Sequence, residues 1–312
     1  MTSPFSAASA DAAPPSLLAL ARQRREPWWA FLGGMVLVVL WTVVTALVLY
    51  GMQRKGWIVA TPHAGPPLAV VGQLLVLLGS VAGSILPPLA LALVWLHGRG
   101  PFSVITPGHG LDFGLAARSA LLWGGLVLLT VAVSAAIDAW TGETSDTSGQ
   151  PWPQVLAFAA ATVWMLVLQV TAEETLFRGY LSQALYAWTG RAWIAALPVG
   201  VLFASLHTQS WDNGVWDQRA LYFIISLMLS AVTWRARRLE AAIGIHFGQN
   251  LTAIYVMGVL GAPFPSLLGI GGPEGKPAGL GDVATVVATM AVVCGLYWYL
   301  GVRRGWVIRR KP

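Results

Sequence analysis

Residues 28–50 read WWAFLGGMVLVVLWTVVTALVLY. No charge interrupts this run, and at about 20 residues a helix spans the hydrocarbon of a bilayer. It exceeds a signal-peptide core, and the residues before it differ from a secretory leader. Residues 1–21 are rich in Ala, Ser and Pro, with no positive charge ahead of an apolar stretch, and Arg22, Arg24 and Arg25 follow directly. The run therefore predicts a transmembrane helix, with residues 1–27 as a disordered cytoplasmic tail.

Seven more apolar segments follow: Leu68–Leu96, Leu115–Ile137, Gln154–Val170, Ala192–His207, Ala220–Trp234, Ala241–Leu260 and Val283–Val302. Pro87-Pro88 should kink or end the helix of the second span. The helical pattern of the fourth continues towards Trp188, and the fifth is short and contains Pro198. Gly261–Gly281 reads as a loop. With the N-terminus in the cytoplasm and the spans alternating, the inner segments hold Arg22, Arg24, Arg25, Arg99, Arg118, Arg178, Arg191, Arg235, Arg237, Arg238, Arg303, Arg304, Arg309, Arg310 and Lys311. The outer segments hold Arg54, Lys55, Arg219 and Lys276 only. Basic residues favour the cytoplasmic side, so this asymmetry supports about eight spans with both termini inside. The expected architecture is an all-α polytopic bundle: a single transmembrane domain over 28–302, a motif-bearing core over 155–259, and a basic cytoplasmic tail over 303–312.

Composition narrows function. Only 10% of the 312 residues are charged and 56% are hydrophobic; soluble domains carry about 25% charged residues. The net charge of +6 comes in small groups that read as topology signals facing anionic lipid, not as a nucleic-acid surface. One cysteine, Cys294, excludes an intrachain disulfide and any multi-cysteine metal site. Sixteen tryptophans suit the membrane interface. Sixteen Arg against three Lys, with many Ala and Gly, has a bacterial look, so the expected location is the plasma (inner) membrane.

Ionisable groups inside spans are costly and usually functional, and here they are few. Thr171–Tyr180 carries Glu173, Glu174 and Arg178; His207 ends the fifth span; His246 and Asn250 lie in the seventh. His63, His97 and His109 fall in expected loops and read as solvated or headgroup contacts. Glu174 and Arg178 are four apart and can pair along one helix face. Glu173 is rotated about 100° away, without a local partner, and is a candidate general base. His246 and Asn250 share a face; an interhelical hydrogen bond is the plain alternative.

Glu173 lies 17 residues before Gly190 and His207 lies 17 after it. In an antiparallel hairpin turning at Gly190 both sit about 25 Å from the turn. His246 begins about 12 Å past Arg238, so all three meet if the hairpin protrudes by roughly 12 Å. The site then lies within the membrane, with Thr208–Gln218, including Asp212, Asn213 and Asp217, lining a wet cavity; the other placement of that stretch is outside. Such a cluster matches a hydrolase that activates water: Glu173 takes the proton, while Asn250 and a histidine polarise the carbonyl or bind the oxyanion. A divalent metal such as zinc on Glu173, His207 and His246 and direct general-base chemistry without metal both stay open.

The series Glu173-Glu174-x-x-x-Arg178, Phe203-x-x-x-His207 and His246-x-x-x-Asn250 resembles the CPBP family (CAAX proteases and bacteriocin-processing enzymes, also called Abi). The resemblance covers roughly Val155–Val259. It implies a polytopic intramembrane endopeptidase, similar to the type II CAAX prenyl protease, with Glu173 as base, Glu174 and Arg178 completing the first motif, and His207, His246 and Asn250 holding water and oxyanion. The family has been described both as metal-dependent and as metal-independent. The expected substrate is a membrane-associated peptide or protein. A non-proteolytic partner or bacteriocin self-immunity protein of the same fold is the alternative; a transporter fits less well, because no two-half symmetry is visible.

Overall fold

The computed structural model describes residues 16–58, 67–107, 110–142, 149–207, 216–259, 264–268 and 280–308. His63, His109, Asp212 and Asn213, the expected disorder of residues 1–15 and most of the 261–281 loop lie outside the described residues. Those described are helical, with no strand among them. In chain order the main helices are α1 (Trp28–Arg54), α2 (Pro67–Trp95), α3 (Phe113–Thr141) and α4 (Trp152–Thr189). Then come α5 (Ala192–Leu206), α6 (Trp216–Ala236), α7 (Glu240–Leu251, continued by a π-helical turn Thr252–Met257) and α8 (Leu280–Tyr297, continued by Trp298–Arg303).

Five of these, α1 to α4 and α8, are long and apolar enough to cross a membrane. The 15 residues of α5 rise only about 22 Å, less than a hydrocarbon core of about 30 Å. The shorter or more polar helices α5, α6 and α7 carry site residues and pack against α4, whose central stretch is buried.

The outer surface is apolar. Leu32, Val36, Val39, Leu40, Val43 and Leu47 of α1 are exposed, as are Leu121, Leu129 and Val133 of α3, an arrangement that water would penalise and lipid does not. Exposed tryptophans gather at helix ends: Trp28, Trp95, Trp140, Trp152, Trp188, Trp216 and Trp234. These are the positions where amphipathic rings meet both lipid and water. The chain is thus a multi-pass membrane protein. Leu17 N–H donates to the Arg237 carbonyl, Leu239 N–H to that of Ile105, and Asp112 N–H to Glu240. These bonds gather the start of α1, the end of α2, the start of α3 and the α6–α7 turn at one basic end. At the other end Gln150 N–H donates to Ser266 and Leu267 N–H to Tyr255.

Two expectations need correction. Pro87-Pro88 does not end α2, which runs through both prolines. Pro87 has no N–H for the carbonyl four residues earlier, that of Gly83. The Trp41 indole of α1 supplies the missing donor at 3.0 Å, the kind of outside partner that lets membrane helices keep proline. Nor are residues 16–27 a loose tail. Leu17, Leu18 and Ala21 are buried, and Leu20–Gln23 forms one helical turn.

His97 is likewise buried and not solvated. Its Nδ1 lies 2.8 Å from the Glu26 carboxylate and its Nε2 2.9 Å from the Tyr180 hydroxyl. Arg99 pairs with Glu26 at 3.2 Å and donates to Gln183 at 2.8 Å. The residues before α1 bring a carboxylate under the end of α2, and it satisfies the histidine and arginine that would otherwise need water.

Helix α7 reaches its depth by backbone approach to α3. A Cβ on Gly248 would stand 2.6 Å from the Ala120 carbonyl oxygen, and one on Gly244 would overlap that of Ala116. Small residues four apart allow this in membrane bundles, and Ser119 of α3 donates to the Ala241 carbonyl at 2.7 Å. His246 sits between the two glycines. Replacing Gly244 with Leu forces α3 and α7 apart. The expected cost is about 1–3 kcal/mol, read as a lower unfolding midpoint in detergent; an unchanged midpoint would contradict this contact.

Candidate active site

Helix α4 is not α-helical throughout. After Glu174 it passes through a π-helical segment, Thr175–Leu181, before Ser182–Thr189 resumes the α form. Such wide turns are rare and often sit at functional sites. Gly179 lies in this segment because the chain passes close to Val104, whose carbonyl oxygen would stand 2.8 Å from a Cβ. The segment places Arg178 towards α6 and Tyr180 towards α1.

Glu174 and Arg178 form the expected pair at 2.8 Å, both side chains fully buried. Arg178 also donates to Ser226 Oγ on α6 at 2.7 Å, and its guanidinium lies 4.3 Å from the centre of the Phe203 ring. The Glu174 carboxylate has a second duty: the same Oε1 stands 2.8 Å from His246 Nδ1. A carboxylate opposite arginine accepts, so His246 donates through Nδ1 and its Nε2 faces the other way.

That Nε2 faces Glu173. Glu173 Oε2 is 3.6 Å from His246 Nε2 and 3.3 Å from His207 Nε2. His207 follows the last turn of α5, and its Nδ1 donates to the Phe203 carbonyl at 2.7 Å. The ring stacks on Phe203 at 4.0 Å between centres and lies 4.9 Å from Tyr222. Both histidines are therefore bonded at Nδ1 to acceptors and present Nε2 to one carboxylate oxygen. Glu173 Oε2 is buried and has no hydrogen bond among the described residues. Three lone-pair atoms converge, and the arrangement is comfortable only with a proton, a water or a cation among them.

The structure thus brings Glu173, Glu174, Arg178, His207 and His246 together as the spacing predicts. Asn250 meets the cluster through Gln169: its Nδ2 stands 3.5 Å from Gln169 Oε1, at the outer limit of hydrogen bonding. The expectation that Glu173 lacks a local partner is corrected, because Gln169, four residues earlier on the same face, donates to Glu173 Oε1. Gln169, Ser226 and Tyr222 escaped the sequence reading. The available signals were a polar residue four before Glu173 in an apolar span, and Tyr222 and Ser226 four apart on α6. Asp217 lies in the first turn of α6; residues 208–215 of the expected wet stretch lie outside the described residues.

The donor chemistry of Glu173, His207 and His246, each histidine held from behind by an acceptor, is of the kind found around metal ions. The positions are not: among the described residues no group of three His, Cys, Asp or Glu side chains is arranged to hold a metal ion.

Residues 154–252 match the family model described as type II CAAX prenyl endopeptidase, Rce1-like. The matched stretch spans α4 to α7 and contains every residue of the cluster, in agreement with the CPBP resemblance of the three motifs. No curated protein and no solved structure matches the chain.

The two adjacent carboxylates should separate on mutation. Glu174→Ala leaves Arg178 buried without its counter-charge, a change expected to cost about 3–5 kcal/mol. Glu173→Gln keeps shape and burial and is expected to unfold near the wild-type midpoint. Thermal unfolding in detergent compares them; equal losses would contradict the division between a structural and a poised carboxylate.

Proposed function

We propose that this chain is an intramembrane endopeptidase that hydrolyses a peptide bond of a membrane-associated peptide or protein by water activated at Glu173. The observation that supports this most is the buried Oε2 of Glu173, without a hydrogen bond and faced by Nε2 of both His207 and His246. The family match over α4 to α7 supports peptidase chemistry at the same residues.

In this reading a water sits against Glu173 Oε2. Glu173 takes one of its protons as the oxygen attacks the scissile carbonyl. The tetrahedral oxyanion is met by a protonated histidine and by the Asn250 amide, which comes within reach from its place beside Gln169. The proton on Glu173 passes to the leaving nitrogen as the C–N bond breaks, giving a carboxylate and an amine. Glu174, paired with Arg178, keeps Nε2 of His246 aimed at the reaction. Gln169 fixes the Oε1 side of Glu173, which leaves Oε2 for the water. His207 is partly open, with 22% of its side chain exposed, and marks the side from which a peptide approaches.

The placement that goes with this reading is eight spans, both termini cytoplasmic, in the plasma membrane of a bacterium. The excess of arginine in the segments expected inside supports that orientation. Bacteria generally lack protein prenylation, so a membrane-associated peptide is favoured over a CAAX protein.

The test is cleavage of a library of quenched apolar peptides by the purified, detergent-solubilised protein. Glu173→Gln should lower the rate by about 10²–10⁴-fold, the range for a lost general base, while unfolding near the wild-type midpoint. Activity equal to wild type would remove Glu173 from the chemistry. Direct general-base hydrolysis also predicts that a chelator leaves the rate unchanged; loss with chelator and recovery with zinc would assign the cluster to a metal instead.

A further inference from the structure

The two histidines that face Glu173 are held in different ways. His246 lies within α7, between Gly244 and Gly248, and Glu174 fixes its ring from behind. His207 stands one residue past the end of α5. Its Nδ1 donates to the Phe203 carbonyl at 2.7 Å, which pins one atom of the ring. The Phe203 ring, stacked on it at 4.0 Å with 29° between the planes, sets its plane. A pivot and a plane leave one motion free, a swing of the imidazole in its own plane, because stacked rings slide past one another easily. That swing would carry Nε2 away from Glu173 Oε2, 3.3 Å off.

Tyr222 of α6 stands where it blocks this motion. Its ring centre is 4.9 Å from that of His207 and 6.5 Å from that of Phe203. With 4.0 Å between Phe203 and His207, the three centres make a near right angle at His207. Phe203 therefore covers a face of the imidazole, and Tyr222 closes an edge. Tyr222 is itself placed by the buried core of the site. Ser226, four residues later and on the same face of α6, accepts from Arg178 at 2.7 Å, and the Arg178 guanidinium lies 4.3 Å from the centre of the Phe203 ring. Helix α5 lets α6 come this close through Gly200, where a Cβ would stand 3.1 Å from the Phe223 ring. The contacts close a circuit: Arg178 to Ser226, along α6 to Tyr222, across His207 to Phe203, and back to Arg178.

We propose that Tyr222 is a positioning residue whose ring is the stop that keeps the His207 imidazole from swinging in its plane, and so keeps Nε2 on Glu173 Oε2. It acts through His207 and needs no contact with the reacting atoms. Its effect on rate rests on the peptidase reading; its effect on His207 does not.

The experiment uses the purified full chain in detergent, carrying isotope-labelled histidine, with His207→Gln identifying the His207 signal by removing it. In Tyr222→Leu the His207 ring signal should shift and broaden, while that of His97, held by Glu26 and Tyr180, stays in place. The same variant should lower kcat on quenched apolar peptides by about 100-fold with KM near wild type, the scale of loss for a group displaced by roughly an ångström. Tyr222→Phe, which keeps the ring, should restore both readings. An unchanged His207 signal in Tyr222→Leu would overturn the proposal, as would a moved signal with kcat at the wild-type value. Tyr222→Phe behaving like Tyr222→Leu would also overturn it, since the hydroxyl and not the ring would then be responsible. Where the wild type cleaves no peptide, or Glu173→Gln cleaves as fast, the peptidase reading falls and the His207 signal alone decides: the stop stands if the signal moves in Tyr222→Leu and returns in Tyr222→Phe, and falls otherwise. If Tyr222→Leu does not fold, Tyr222→Met is read in its place with the same outcomes.

Discussion

Glu174 carries a charge at a depth where water cannot attend to it, and the core of the bundle is arranged around that fact. An unpaired carboxylate in such surroundings is severely disfavoured. Its compensation comes from three helices at once: Arg178 from the π segment of α4, His246 from α7, and, through Arg178, Ser226 from α6. None of these can withdraw without stranding the others. The requirement fixes how far α6 and α7 lie from α4, and so fixes where Glu173 meets the two histidines.

This organisation divides labour between neighbours in sequence. Glu174 faces inward and holds both Arg178 and His246 on one oxygen; Glu173 is turned by one helical step towards the end of α5, where its Oε2 is faced by Nε2 of both histidines. Each histidine has its rear nitrogen occupied, by a carboxylate in one case and a backbone carbonyl in the other. The forward nitrogens are therefore held at a common point, the kind of preorganisation on which the proposed hydrolysis would draw.

Much of this was legible in the sequence because the membrane makes polarity expensive. In an apolar chain the few ionisable residues stand out, and helical periodicity with equal distances from Gly190 was enough to bring Glu173 and His207 to one level. The reading failed where a polar group looked ordinary. Gln169 is one amide in an apolar span, and Ser226 one hydroxyl; spacing says which face they occupy but not which neighbour faces them. His97 was misread because its partner, Glu26, lies 71 residues earlier in a segment whose composition suggested a tail. That α2 continues past Pro87-Pro88 was hidden for the same reason: the donor beside the Gly83 carbonyl belongs to another helix, and no local pattern names it.

The π segment carries one more consequence. A π turn is an α-helix with an extra residue accommodated in it, so Thr175–Leu181 acts as a built-in phase shift. Upstream of it, α4 presents Glu173 and Glu174 to α5 and α7. Downstream, the same helix presents Tyr180 to α1 and Gln183 to Arg99. Removing a single residue between Glu174 and Gln183 would relax the segment to ordinary helix and swing one set of contacts by about 100° relative to the other. The length of this stretch is thus as constrained as the identity of its side chains, which are buried from Thr175 to Tyr180.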